Sequence, residues 1–367
     1  MKRSHGILLA ALVAAVLAFV LAGCAGGTQA SNAPATKSVT DAYGRTVDVP
    51  ADVQRVATVG SGARFVVYAG AQDKLVAVTE METRSSNSRP YTIVHKDLFA
   101  NLPVTSNGNH LMETSVNTEE MLKADPDVIV SSRSAAECDE LQQTMGIPVV
   151  GISYQNQLFS DDVCTSISCV GEALGTSDHA QATVAKIKEW EADLDARTKD
   201  IPAAEKPSVY VGAVNYKDKK SFGGTYCGYA PLDAVHGMNV ADSLDKKGSV
   251  DVDLEQIGVW DPDYMFLNAG NMELMKKEYA DNQAFFDGLK AFETNRLYSQ
   301  PAFNYNGTNV EMGICDAYFI GATIYPEKFA DVDVAQKYSE IFTTMLGDDF
   351  YPTMKEAGMD FTSLSFS

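Results

Sequence analysis

Apolar and polar positions change rhythm along this chain in a way that divides it before any motif is read. From Ile7 to Ala22 nearly every residue is apolar, with Met1, Lys2 and Arg3 in front and Gly23 and Cys24 behind. From residue 55 onward, short β-branched runs at 55–59, 75–78, 128–130, 149–152, 208–214 and 264–268 alternate with longer stretches of helical period. That alternation predicts βαβ units with parallel sheets. Between the two sets of runs, Val184, Ile187 and Leu194 recur at helical spacing in a segment that neither Gly nor Pro interrupts, and Ser177 or Asp178 can cap its start. The expected class is α/β: two parallel-sheet lobes, 39–175 and 201–367, joined by one long connecting helix, 176–200, with a ligand cleft between the lobes.

The first apolar run has the charged start, length and small-residue end of a secretory signal, 1–23. Leu21-Ala22-Gly23-Cys24 resembles a bacterial lipobox, which implies lipidation at Cys24 and an extracytoplasmic protein anchored to the bacterial membrane. Residues 24–38, rich in Gly, Ala, Ser and Thr, read as a flexible tether. The net charge is −20 and falls by two more when Lys2 and Arg3 leave with the signal. Such a surface excludes nucleic acid and anionic lipid as partners and favours a soluble monomer. Five cysteines besides Cys24 remain, Cys138, Cys164, Cys169, Cys227 and Cys315, in no disulfide or zinc spacing. They are read as buried free thiols, with one incidental disulfide as the alternative.

One short pattern occurs twice. Glu119 stands seven residues before Pro126-Asp127 and the run at 128–130, and Glu255 stands seven before Pro262-Asp263 and the run at 264–268. Proline stops a helix and pushes its predecessor into an extended conformation, so each unit reads as helix, turn and buried strand. These units, together with Asp41-Ala42-Tyr43-Gly44-Arg45-Thr46-Val47-Asp48-Val49-Pro50, Arg55-Val56-Ala57-Thr58-Val59-Gly60 and His236-Gly237-Met238-Asn239-Val240-Ala241-Asp242, resemble the class III solute-binding lipoproteins that deliver ferric siderophores, haem and vitamin B12 to ABC importers. The resemblance implies partners: an ABC permease dimer with its ATPase subunits, a small-molecule metal chelate, and the membrane through the lipid anchor. It also implies that Glu119 and Glu255 dock on the two transmembrane subunits. No resident cofactor is implied, and iron is the metal favoured in the captured chelate. Haem, a corrinoid and an oxyanion such as molybdate stand as alternatives, and so does a sensor or adhesion lipoprotein outside transport.

Ligands of open parallel sheets sit at the carboxyl ends of strands. That rule selects Arg64, Arg84, Arg133 and Tyr154 in the first lobe, and Tyr226, Tyr229, Asn268, Asn271, Asn304 and Tyr305 in the second. Arginine forks suit an anionic chelate, while tyrosines and amides suit a bulky polar face. Each of these arginines can instead be a solvated loop charge, and each tyrosine a packing residue. His95 and His110 could reach the cleft, whereas His179 and His236 fall on helix positions that suit structure; direct binding of a bare metal is disfavoured. No nucleophile elbow, zinc-protease helix or phosphate loop is present, and no enzyme is expected.

Overall fold

The computed structural model describes residues 35–107, 115–154, 157–215, 218–305 and 307–366. Cys24 and His110, together with the leader and most of the tether, lie outside them. Strand β1 (Thr36–Thr40) pairs antiparallel with β2 (Thr46–Pro50), so the last three residues assigned to the tether belong to a strand. The hairpin is fastened by Asp41, whose buried carboxylate accepts from the amides of Tyr43, Arg45 and Gly151 and from the Arg45 guanidinium. A carboxylate with that many donors fixes the turn far more firmly than the two-stranded ribbon could.

The first lobe is a six-stranded sheet. Its strands are β3 (Val56–Val59), β4 (Leu75–Thr79), β5 (Val104–Asn107), β6 (Ser115–Val116), β7 (Val128–Ser131) and β8 (Val149–Gly151), in the order β6-β5-β4-β3-β7-β8. All neighbours are parallel except β5 and β6. Helices α1 (Gly62–Tyr68), α2 (Thr118–Ala124), α3 (Ala135–Met145) and α4 (Asp161–Leu174) cover it. Strands β3 and β7 are buried at every position, as sheets covered on both faces require. Gly62 is needed where α1 meets the sheet, because a Cβ there would overlap the carbonyl oxygen of Val130.

The connecting helix α5 (Ser177–Thr198) starts one residue after the expected 176 and ends two before the expected 200, and neither Ser177 nor Asp178 is its N-cap. Thr176 takes that place without a side-chain bond. At 1.5 Å per residue the helix is about 33 Å long. It buries Ala180, Thr183, Ile187, Trp190 and Leu194 and packs against α4.

The second lobe carries β9 (Ser208–Gly212), β11 (Met238–Asn239), β13 (Tyr264–Asn268) and β14 (Leu297–Gln300) in a parallel sheet of order β11-β9-β13-β14. A separate hairpin pairs β10 (Gly224–Cys227) with β12 (Gly248–Asp251). Helices α6 (Leu254–Trp260) and α7 (Met272–Asp281) follow, then α8 (Val310–Ile324) and α9 (Val334–Leu346). The last of these crosses back: α9 packs on α1 and α5, and His95 bonds the Leu346 carbonyl at 2.9 Å. The segment expected to belong wholly to the second lobe therefore also closes the first.

The repeated unit is the same structure twice. Asn117 accepts from the Glu120 amide at the start of α2, and Asp253 from the Gln256 amide at the start of α6. Each helix lasts seven residues and ends on an aspartate in the left-handed conformation, Asp125 (φ 49°) and Asp261 (φ 39°). The aspartate after each proline then ties down the first strand of its lobe. Asp127 accepts from the amides of Gln54 and Arg55, and Asp263 from the amide of Ser208. Pro-Asp is thus a stop signal joined to a staple.

Candidate functional site

The loops at the strand ends form two unlike walls. In the second lobe, Tyr226, Tyr229, Asn268 and Asn304 line one recess with Asn215, Gln300 and Phe303. Among the described residues, no charged side chain lines it. The space open to a water-sized sphere is about 20 Å³, room for roughly one water. Tyr229 is held from behind: it accepts from the Gln300 amide at 2.9 Å and donates to Asp316 at 3.4 Å. Asp316 is wholly buried on α8, and burial pushes its carboxyl well above the usual carboxylate range. The ring of Tyr229 packs edge-on against Phe303 and Tyr226. Asn268 caps the turn after β13 by accepting from the Gly270 amide.

Two expected members of this wall lie apart from the recess. Asn271 is buried and donates to the Ala213 carbonyl, the Asn215 side chain and the Lys220 carbonyl, so it pins the loop that brings Asn215 into place. Tyr305 is exposed on its loop. Asn215 and Gln300 were not foreseen. Both follow the strand-end rule, Gln300 as the last residue of β14 and Asn215 three beyond β9.

The first-lobe wall uses most of its charge internally. Arg64 has no exposed surface. Its Nη1 bonds the Tyr154 hydroxyl at 3.2 Å, and its guanidinium lies 4.9 Å from the Tyr91 ring centre. Tyr91 donates to Glu82 at 2.8 Å, and Thr79 donates to the same carboxylate from amide and hydroxyl. The second lobe closes over this cluster. Glu311, at the start of α8, accepts from Tyr68, and Asn309 donates to the Ser88 carbonyl. At Gly307 a Cβ would overlap Tyr154, Arg64 and Ser61, so only glycine lets the lobes approach this closely. Burial pushes the Glu82 and Glu311 carboxyls up from their ordinary range.

The other arginines divide. Arg84 is exposed and pairs with Glu80 one turn away. Arg89 is buried with its guanidinium on the carbonyls of Met81 and Arg84. Arg133 is half-buried just after β7, and among the described residues its guanidinium has no ion pair or hydrogen bond. Beside it, Ser132 and Tyr154 line a second hollow of about 220 Å³.

The three described histidines make contacts within the protein. His95 faces α9, His236 bonds Asp195 of the connecting helix at 3.0 Å, and His179 stacks where a Cβ on Gly70 would fall. Among the described residues, no group of three or more His, Cys, Asp or Glu could hold a metal ion. A larger groove of about 520 Å³ between α5 and α9 is lined by charges already paired, Arg197 with Asp331 and Lys337 with Glu340. It lies on helix flanks, away from the strand ends.

The family model described as periplasmic binding protein matches residues 56–302. The chain belongs to that family. It is a binding protein and not an enzyme. It is 22% identical over 343 residues to an uncharacterized ABC transporter substrate-binding lipoprotein, YvrC, of Bacillus subtilis, covering 90% of this chain and 100% of that one. A periplasmic solute binding protein from Veillonella parvula has the same fold, with a TM-score of 0.69 at 23% identity over 86% of this chain and 94% of its own. So does the molybdate periplasmic binding protein MolA of Haemophilus influenzae, with a TM-score of 0.64 at 19% identity over 85% and 98%.

Proposed function

We propose that this family member is lipid-anchored through Cys24 outside the cytoplasmic membrane, captures a ferric chelate, and passes it to an ABC importer. The observation that carries the transport reading is a pair of glutamates at matched places. Glu119 on α2 and Glu255 on α6 are exposed and make no ion pair or side-chain hydrogen bond among the described residues. The neighbour Glu120 is by contrast engaged with Lys123. A bare carboxylate in the first turn of the same helix on both lobes suits a partner with two like cationic sites, where charge fixes orientation and speeds encounter. The likeness to the Bacillus ABC transporter substrate-binding lipoprotein supports an ABC transporter as that partner.

The walls supply the argument for a chelate. A recess lined, among the described residues, by tyrosines, amides and apolar groups suits a flat polar organic face, and Arg133, just after β7 in the other lobe, adds a guanidinium with no hydrogen bond or ion pair among the described residues. The test is the metal content and absorbance of protein purified from its native source. Iron with a visible ligand-to-metal band is expected, and mass spectrometry of the same sample should find acyl chains on Cys24. A Soret band, cobalt or molybdenum would replace the ferric chelate by haem, a corrinoid or an oxyanion, and an unmodified Cys24 would remove the anchor.

A further inference from the structure

Leu122 and Val259 are the two most exposed large apolar residues among those described, at 52% and 79%. They stand on the two matched helices, α2 and α6, with Leu122 three residues after Glu119 and Val259 four after Glu255. Spacings of three and four put residues on one helix face, so each bare carboxylate has a bare apolar side chain beside it. The positions are not equivalent in the repeat, since Lys123 aligns with Val259 and Gly258 with Leu122. The same surface has been reached from two different sequences. Neither apolar residue serves the core, because each helix turns other residues inward: Met121 and Ala124 on α2, Ile257 on α6.

We propose that Leu122 and Val259 are the apolar half of a docking footprint present once on each lobe, and that its occupant is the importer's transmembrane partner. This rests on the transport reading above. That partner would offer, at two like sites, a cation for the glutamate and an apolar surface for its neighbour. Charge complementarity selects the occupant. A second copy of this chain would set Glu119 or Glu255 against another glutamate, and an anionic bilayer would meet a chain of net charge −20. The division of labour follows from physics: the carboxylates steer and orient, while burial of Leu122 and Val259 slows dissociation.

The experiment measures binding kinetics of the full lipoprotein on its importer, purified from the same bacterium and held in nanodiscs. The Leu122→Ser, Val259→Ser double variant is expected to bind at least tenfold more weakly, chiefly through faster dissociation, since two buried aliphatic side chains are lost. That loss should persist at about 0.5 M NaCl. The Glu119→Arg, Glu255→Arg variant should instead associate more slowly, with a defect that shrinks as salt rises. If the serine variant binds like wild type while the arginine variant does not, the apolar footprint is wrong and the transport reading stands. If both bind like wild type, docking on these helices fails altogether. Self-association in ultracentrifugation, or co-sedimentation with vesicles of phosphatidylethanolamine and phosphatidylglycerol, that the serine pair abolishes would hand the patch to another occupant and overturn the proposal.

Discussion

The two walls of the cleft are built on opposite plans. In the first lobe Arg64, Arg89 and Glu82 are buried and bonded to tyrosines, a threonine and backbone carbonyls. In the second lobe the described residues lining the recess are uncharged, and Asp316 is bonded to the Tyr229 hydroxyl without lining the recess itself. Charge in the first lobe is therefore spent on contacts within the molecule, whereas the described residues lining the second-lobe recess are uncharged. An arginine at a strand end argues for an anionic ligand only when its guanidinium is not already hydrogen-bonded or ion-paired, and of Arg64, Arg84, Arg89 and Arg133 that describes Arg133 among the described residues.

The sharpest way to break this comparison is Arg64→Ala. Removing one member of a buried charged cluster leaves Glu311 without its nearby cation and Glu82 with Arg89 alone, and breaking such a cluster typically costs about 3–5 kcal/mol. Denaturant unfolding should show that loss; a change under about 1 kcal/mol would mean that the first wall is not held by its charges. Arg133→Ala should do the reverse. Stability should stay within about 0.5 kcal/mol, while affinity for an anionic ferric chelate, read by calorimetry, falls at least tenfold, as loss of a charge-assisted bond of about 1.5–3 kcal/mol requires. Unchanged affinity would make the ligand neutral or move it off this wall.

The smallest effect is a slope. Because burial raises the Asp316 carboxyl, the native protein keeps a proton that the unfolded chain releases near pH 4. That contribution is fully present below about pH 4 and is lost as pH rises through the native value. Asp316→Asn should flatten the decline, gaining on wild type between about pH 4 and pH 8 in unfolding measured across that range. Parallel slopes for the two proteins would place a compensating charge behind Tyr229.

Much of the scaffold could be read from local pattern. β-branched runs, a long segment without Gly or Pro, and Pro-Asp after a helical turn each act over a few residues, and β3, β7, β13, α5 and the paired units α2 and α6 followed from them. Strand β5, Val-Thr-Ser-Asn, carries too little apolar signal, and β14 alternates too weakly, so neither stood out. The site was harder. Tyr226, Tyr229, Asn268 and Asn304, chosen because strand ends are local features, do share one recess. The burial of Arg64 depends on Tyr91, Tyr154 and Glu311, dozens to hundreds of positions away, and the return of α9 to the first lobe is likewise decided only by packing.

The five cysteines of the described chain are all free and all buried. Burial raises every one of their thiols, Cys169 to about 12, and only the thiolate reacts readily. An exported chain in that state matures without an oxidase and withstands an oxidising medium for as long as it stays shut. Each sulfur also becomes a native clock. Cys138 on α3, Cys164 and Cys169 on α4, Cys227 on β10 and Cys315 on α8 take up an alkylating reagent only when their own element opens, so a labelling time course reports which parts of the two lobes breathe and how often.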